Sequence, residues 1–521
     1  MKRTLIALIL ILALLLSGCQ SSSCPAHTDR NDDGCCDKCD KTLKDCAQHK
    51  DKDADTVCDI CKRSVIVTFD FTAINDLHGK IDDTDSQPGL DELTTYLNKR
   101  RTSVDNLVLI STGDMWQGSS ESNLTHGAMM TEWMNEMDFV SMTLGNHEYD
   151  WGEEFIRAND NLAEFPLLAI NVYETATGTR PDYCQASVTL DLDGVQIGII
   201  GAIGDVYSSI ASDFTKGIEF KVGDELTALV KAESEKLRSE GVDYVIYSLH
   251  DGASTSTSTK KDVSDKQLSA YYDIELSDGY VDLVFEGHTH RSYILEDSEG
   301  VLHLQGGAEN DGFSSVQVSI NSVTGKYTTD DAEFIKQSTY KRADSDPLID
   351  ELLTKYGDAI APAYRKLGYS STTLSSSDIK HLVARLYYEF GTKEWGDEYT
   401  LALGGGYLSV RNPYKLYSGE VIYSDVYTLL PFDNQLVLCS VKGYDLYYKF
   451  FNTDNEDYYI YYGAYGNSIK DSIDFDATYY IVTDTYTSTY APNNLTEIER
   501  YSADVFARDL LADYIASGAL Q

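Results

Sequence analysis

Apolar residues recur along the chain in two rhythms. Short β-branched or apolar runs at residues 65–74, 107–111, 139–144, 245–249 and 281–285 read as buried strands. Between them apolar positions return at helical spacing, as over residues 225–238 before Gly241. This alternation predicts parallel or mixed sheets flanked by helices, with ligand sites beyond the carboxyl ends of the strands. Further along, Asp346-Pro347 opens a helical stretch to about Leu367, with Leu348, Ile349, Leu352 and Leu353 at helical spacing. A second amphipathic helix is expected over residues 378–390, carrying Ile379, Leu382, Val383, Leu386 and Phe390. Strands rich in Tyr and Val follow, then a last helix from about Ser502 to Gly518. At 521 residues the chain exceeds one ordinary domain.

The ends of the first strands carry the chemistry. They run into Asn75-Asp76-Leu77-His78-Gly79, Thr112-Gly113-Asp114, Gly145-Asn146-His147-Glu148-Tyr149-Asp150, His250-Asp251-Gly252 and Glu286-Gly287-His288-Thr289-His290. One such ending is ordinary turn chemistry, because Asp and Asn favour turns. All of them together, with a His-x-His among them, are hard to produce that way. Oxygen donors mixed with imidazoles suit divalent manganese, iron, cobalt or zinc. Two cations sharing a carboxylate sit ~4 Å apart, a separation that clamps both ends of an in-line phosphoryl displacement.

Charge narrows the ligand. With 84 acidic against 42 basic residues the net charge is −42, which repels polyanions and argues against a nucleic acid polymer as partner. A small phosphoester stays compatible where cations supply local positive charge. Lys2 and Arg3 precede an apolar run that ends in Leu16-Ser17-Gly18-Cys19, the pattern of a secretory signal too short to span a membrane. Leu-Ser-Gly-Cys resembles the bacterial lipobox, which implies lipidation at Cys19 and an extracytoplasmic protein anchored to the bacterial membrane by lipid.

All of the ten cysteines except Cys184 and Cys439 lie before residue 62. Most of them form a repeat: Cys24, His27, Cys36 and Cys39, then Cys46, His49, Cys58 and Cys61 at identical spacing. Three thiolates and an imidazole suit tetrahedral zinc. The acidic loops overlaid on each copy, residues 29–34 and 51–55, resemble calcium loops, and disulfide stapling is the third possibility in an oxidising exterior. The repeat is read as a spacer stapled by zinc or calcium, without a catalytic role.

The order of strand-end motifs resembles the calcineurin-like metallophosphoesterases, and the wording of residues 75–79 and 145–150 resembles the 5′-nucleotidase branch. The resemblance implies an α+β or α/β fold: a metallophosphoesterase β-sandwich flanked by helices, followed by a smaller mixed α/β substrate-binding domain. It implies that Asp76, His78, Asp114 and His290 hold one metal, and that Asp114, Asn146, His250 and His288 hold the other. A water shared by the two cations would attack phosphorus, while His147, oriented by Asp150, stabilises the transition state or protonates the departing oxygen. Residues 404–411 resemble a glycine-rich turn ending in the substrate-binding Arg411. Residues 430–434 resemble the segment in which Phe432 stacks on a base and Asn434 bonds it, with Tyr490 as second stacking ring and Tyr486 as its rival. The implied substrate is a small nucleotide-like phosphoester. The expected division is a signal peptide at 1–19, the repeat at 20–63, the phosphoesterase domain at 64–338, a connector helix at 339–367 and the second domain at 368–521.

Overall fold

The computed structural model describes residues 49–59, 63–81, 88–206, 209–210, 212–253, 257–262, 279–341, 346–451, 459–463, 472–489, 494–502 and 505–521. The first part is built from β1 (Ile66–Ile74), α1 (Leu90–Arg101), β2 (Leu107–Ser111), α2 (Ser120–Leu124), α3 (Ala128–Glu136), β3 (Phe139–Thr143), α4 (Glu153–Leu162) and β4 (Leu167–Leu168). It continues through β5 (Ser187–Leu192), β6 (Val195–Ile203), α5 (Asp224–Ser239), β7 (Tyr244–His250), β8 (Thr257–Asp262), β9 (Leu283–Glu286), β10 (Ser292–Glu296), β11 (Leu302–Gly306), β12 (Gly312–Asn321) and β13 (Tyr327–Lys336). These strands form a 6-stranded sheet ordered β13-β12-β1-β2-β3-β4 and a 7-stranded sheet ordered β8-β10-β11-β9-β7-β6-β5.

Period-two alternation explains why the two sheets face each other. Phe69, Phe71, Ala73, Val108 and Ile110 of one sheet meet Ile197, Ile199, Tyr244, Ile246, Leu283 and Phe285 of the other in a shared buried core. The intervening residues Ile200, Ala202, Val245, Tyr247 and Leu249 turn outward and pack against Leu226, Val230 and Leu237 of α5. Because β1, β2 and β3 are mutually parallel, as are β6, β7 and β9, their carboxyl ends emerge on one side. There the sheets are drawn together by small polar residues. Thr143 Oγ1 bonds Ser248 Oγ at 2.6 Å, and a Cβ on Gly201 would lie 2.3 Å from Leu168 Cβ.

The connector helix α6 (Pro347–Lys355) begins where Asp346 accepts the Leu348 N–H, and its Ile349 and Leu352 join the core of the first part. A short helix at Gly357–Ile360 and a 3-10 turn at Ala361–Tyr364 continue it close to the expected end, and the chain then enters a strand at Lys366–Ser370. The second part contains α7 (Ser376–Trp395), β14 (Leu401–Tyr407), α8 (Tyr423–Leu429), β15 (Leu436–Lys442), β16 (Tyr459–Gly463), β17 (Thr478–Asp484), β18 (Thr496–Arg500) and α9 (Ala507–Ala516). Its 5-stranded sheet runs β16-β14-β17-β15-β18, with Ile379, Val383, Leu386 and Tyr387 of α7 packed on one face. Gly404, Gly405 and Gly406 lie inside β14 rather than in the expected turn. A Cβ on Gly404 would sit 2.2 Å from the Tyr388 backbone, so Gly404 lets α7 approach the sheet, while Gly405 and Gly406 crowd Ile460 and Thr487; the turn to Arg411 comes after them.

The two parts meet along α2, where Ser120 Oγ lies 2.8 Å from Ser424 Oγ and Asn123 Nδ2 donates to the Pro431 carbonyl at 2.9 Å, and again where Arg500 pairs with Asp213 at 2.8 Å. No helix among the described residues is long and apolar enough to cross a membrane.

Candidate metal centre

Five loops deliver their polar residues to one buried point between the sheet ends. Ligand-type atoms of Asp76, His78 and His290 lie within 4.8 Å of one another, and so do those of Asp114, His250 and His288. Asp114 also groups with His78 and His147, so it stands between the two clusters. Asn146 Oδ1 lies 2.9 Å from His288 Nδ1 and 3.2 Å from His250 Nε2. Asp76, His78, Asp114, His288 and His290 all have positive φ, between 49° and 66°. Non-glycine residues adopt that region rarely, and such strain concentrates at functional sites.

The donor set fits cations. His78 donates through Nδ1 to the Gln117 carbonyl at 2.8 Å, which leaves a lone pair on Nε2, 3.1 Å from His290 Nε2. His250 is fixed the same way, Nδ1 to the Thr112 carbonyl at 2.7 Å, with Nε2 3.2 Å from Asp114 Oδ2. Without a cation Asp114 has a proton on His250 as its partner, whereas a divalent ion offers the whole donor set a positive centre. The charges are strongly perturbed. Burial would raise Asp114, but His250 and His147 hold it well below the usual carboxylate range. Against its own burial, His250 is pushed up to about 10 by Asp114. Burial and the neighbouring His250 bring His288 down to about 4.

His147 stands at the edge of this cluster. Its Nδ1 lies 2.7 Å from Asp150 Oδ2, and its backbone N–H donates to Asp114 Oδ1 at 2.9 Å. Burial opposes its charge, yet Asp150 and Asp114 raise its pKa, so it holds a proton more firmly than a free imidazole.

Above the cluster, between the two parts of the chain, lies a cavity of about 560 Å³ bordered by Asp114, His147, Arg411, Phe432, Asn434 and Tyr486. Phe432 stacks on His147 with ring centres 5.6 Å apart, and the Arg411 guanidinium lies over the same phenyl ring at 5.1 Å. Tyr486, the rival for the second stacking position, leans on Tyr407 with ring centres 5.6 Å apart and borders the same cavity as Phe432. Tyr490 falls outside the described residues, as do Cys19, Cys24, His27, Cys36, Cys39, Cys46 and Cys61. Of the repeat, Cys58 is buried and its sulfur accepts the Lys50 N–H at 3.4 Å, while Asp51, Asp53 and Asp55 bring carboxylate oxygens within 4.8 Å. His49 is described as well but joins none of these ligand groups.

Residues 69–292 match the calcineurin-like phosphoesterase family. This segment is a calcineurin-like phosphoesterase domain. Endonuclease YhcR of Bacillus subtilis is 26% identical over 408 residues, which is 72% of this chain and 32% of that protein. A 5′-nucleotidase of Vibrio cholerae is 27% identical over 228 residues, 43% of this chain and 40% of that protein. The chain thus spans well under half the length of either relative. The crystal structure of a 5′-nucleotidase precursor from Thermus thermophilus shares the fold, with a TM-score of 0.65 at 16% identity, covering 86% of this chain and 96% of that one.

Within the phosphoesterase domain one residue has a part that its motif did not reveal. Glu148 is fully buried, and its oxygens accept the N–H groups of Asp114 at 2.9 Å, Gly145 at 2.7 Å and Met115 at 3.0 Å. It ties the loop after β2 to the loop after β3 and so fixes Asp114. Asn75 does the same for Asp76, donating to its Oδ2 at 2.6 Å and to the Gly307 carbonyl at 2.7 Å. Both residues lie inside the strand-end motifs; a buried acid bound to backbone N–H groups has no sequence signature beyond that.

Proposed function

We propose that the protein hydrolyses nucleoside 5′-monophosphates to nucleoside and phosphate outside the cytoplasmic membrane. The observation that carries this reading is Asp114, which lies between two groups of buried and half-buried donors on the floor of a cavity that both parts of the chain enclose. Asp76, His78, Asp114 and His290 would hold one divalent cation, and Asp114, Asn146, His250 and His288 the other; manganese, zinc, cobalt and iron all suit these donors. Such a pair supplies a water acidic enough to attack near neutral pH and charge that offsets the phosphate oxygens. The side chains do the rest. His147, held by Asp150 with its proton retained, gives that proton to the ester oxygen as the bond to phosphorus breaks and the water oxygen bonds phosphorus. Arg411 offers its fork to phosphate or ribose oxygens. Phe432 and Tyr486 offer flat faces for the base, and Asn434 an amide for its edge; stacking on Phe432 competes with the ring's contacts to His147 and Arg411.

We read residues 64–338 as the catalytic unit, 339–367 as connector and 368–521 as substrate-binding unit, with 1–19 as signal peptide, lipid on Cys19 as membrane anchor and residues 20–63 as a spacer stapled by zinc or calcium. The name of the Vibrio relative supports a nucleotide substrate. A second reading, a phosphodiester such as a UDP-sugar or a 2′,3′-cyclic nucleotide, draws support from the relative named as an endonuclease, while the net charge of −42 weighs against long polyanions. Phosphate release from a panel of these compounds, with manganese, cobalt or zinc supplied, tests the reading. The monophosphates should be turned over, and Asp114→Ala and His147→Ala should each abolish turnover. Unchanged activity in both variants, or no turnover of any phosphoester, refutes it.

A further inference from the structure

A second, smaller cavity of about 30 Å³ lies on the other flank of His78, bordered by Lys80, Gln117, Ser119, Glu309 and Arg411. Gln117 and Arg411 border the large cavity as well, so the two spaces share a wall beside the metal centre. Lys80 is unusual in this strongly acidic chain. It is only 8% exposed, and its ammonium makes no hydrogen bond or ion pair with any described residue. Gln117 is 2% exposed, and its Nε2 is buried with no acceptor. The Arg411 guanidinium has the Phe432 ring as its neighbour and pairs with no carboxylate of the described residues. Two cations and an amide donor therefore border one small space without an acceptor among them. Glu309 is the carboxylate on its wall, which leaves the corner a net positive charge.

We propose that Lys80, Gln117 and Arg411 form an anion subsite beside the metal centre that takes the oxygens of a phosphate group other than the one under attack. Ammonium and guanidinium donors bind phosphate oxygens through charge-assisted hydrogen bonds, which are the strong ones. The anchoring is stiff, because Gln117 gives its carbonyl to His78 and the Lys80 carbonyl accepts Asn310 Nδ2 at 3.4 Å. Two sources offer the same chemistry: the second phosphoryl group of a nucleoside diphosphate, or orthophosphate moving aside after cleavage. The subsite rests on the phosphoesterase reading above for its role, though not for its ability to bind phosphate.

The experiment uses the full-length, manganese-loaded protein as wild type, Lys80→Met, Lys80→Arg and Gln117→Leu. Inorganic phosphate binding is read by calorimetry, and KM for adenosine 5′-monophosphate and 5′-diphosphate by phosphate release. If product occupies the subsite, Lys80→Met weakens inorganic phosphate binding at least tenfold and leaves the diphosphate KM in place. If a second phosphoryl group occupies it, the diphosphate KM rises at least tenfold and the monophosphate KM stays within twofold. Either outcome should be repeated more mildly by Gln117→Leu and largely reversed in Lys80→Arg, which keeps the charge. Phosphate affinity and both KM values within twofold of wild type in Lys80→Met and Gln117→Leu would overturn the proposal. A wild-type protein that binds phosphate through Lys80 but turns over no nucleotide would instead overturn the nucleotidase reading and leave the subsite standing.

Discussion

Replacing Glu148 by glutamine changes one oxygen to an NH2 group and tests how Asp114 is held. Oε2 accepts two backbone N–H groups, from Asp114 at 2.9 Å and Gly145 at 2.7 Å, while Oε1 accepts Met115 at 3.0 Å and Trp116 at 3.4 Å. Whichever way the new amide turns, its nitrogen faces a pair of buried donors. Each donor left without an acceptor costs about 1–3 kcal/mol, so the variant should lose roughly 2–6 kcal/mol of stability in the phosphoesterase domain. At about 2–4 °C per kcal/mol for a domain of this size, calorimetric unfolding should come several degrees lower. The carboxyl also carries a pH signature in metal-stripped protein. Burial, and then the charge of Asp114, raise its pKa from 4.5 to about 7. Between those values the native state keeps a proton that the unfolded state releases, so this contribution to stability is present below pH 4.5 and lost as pH rises through about 7. Glu148→Gln should lack that slope. Unfolding within 0.5 kcal/mol of wild type, roughly the reach of a neutral surface substitution, together with undiminished metal affinity, would refute the bracing role.

Three further outcomes follow from the same geometry. Asp150→Asn removes the carboxylate that holds the His147 proton against burial, so the His147 pKa falls and the alkaline limb of the kcat/KM profile moves to lower pH; a limb that stays or moves up contradicts His147 as proton donor. Tyr486→Ala removes a stacking face and should raise KM for nucleotides roughly tenfold while leaving p-nitrophenyl phosphate unchanged. Tyr490→Ala, at the position favoured on resemblance, should change neither value by more than about twofold if Tyr486 is the stacking ring.

Much of the first part was legible because its strands are short apolar runs that end abruptly in polar residues. The expected strands at 107–111 and 139–144 match Leu107–Ser111 and Phe139–Thr143, and the helix at 225–238 matches Asp224–Ser239. The convergence of Asp76, Asp114, Asn146, His250 and His288 follows from parallel strands delivering their carboxyl ends to one side. Less was legible where packing decides. Gly404 to Gly406 look like a turn in sequence, yet they sit in a strand where α7, Ile460 and Thr487 come too close for a Cβ. The last helix starts at Ala507 rather than near Ser502, where Phe506 and Asp509 complete its first turn. Lys80 and Gln117 carry no sequence signal, since their interest lies in the small cavity they border and, for Gln117, in a buried Nε2 without an acceptor.

If Asp114 joins two cations in one cage, electron paramagnetic resonance of the manganese-loaded protein detects the pair. Ions sharing a carboxylate about 4 Å apart are magnetically coupled. Wild type should therefore give the multiline spectrum of a coupled manganese pair, and Asp114→Ala should lose it. A wild-type spectrum of isolated manganese, or a coupled pair that survives Asp114→Ala, would contradict the account.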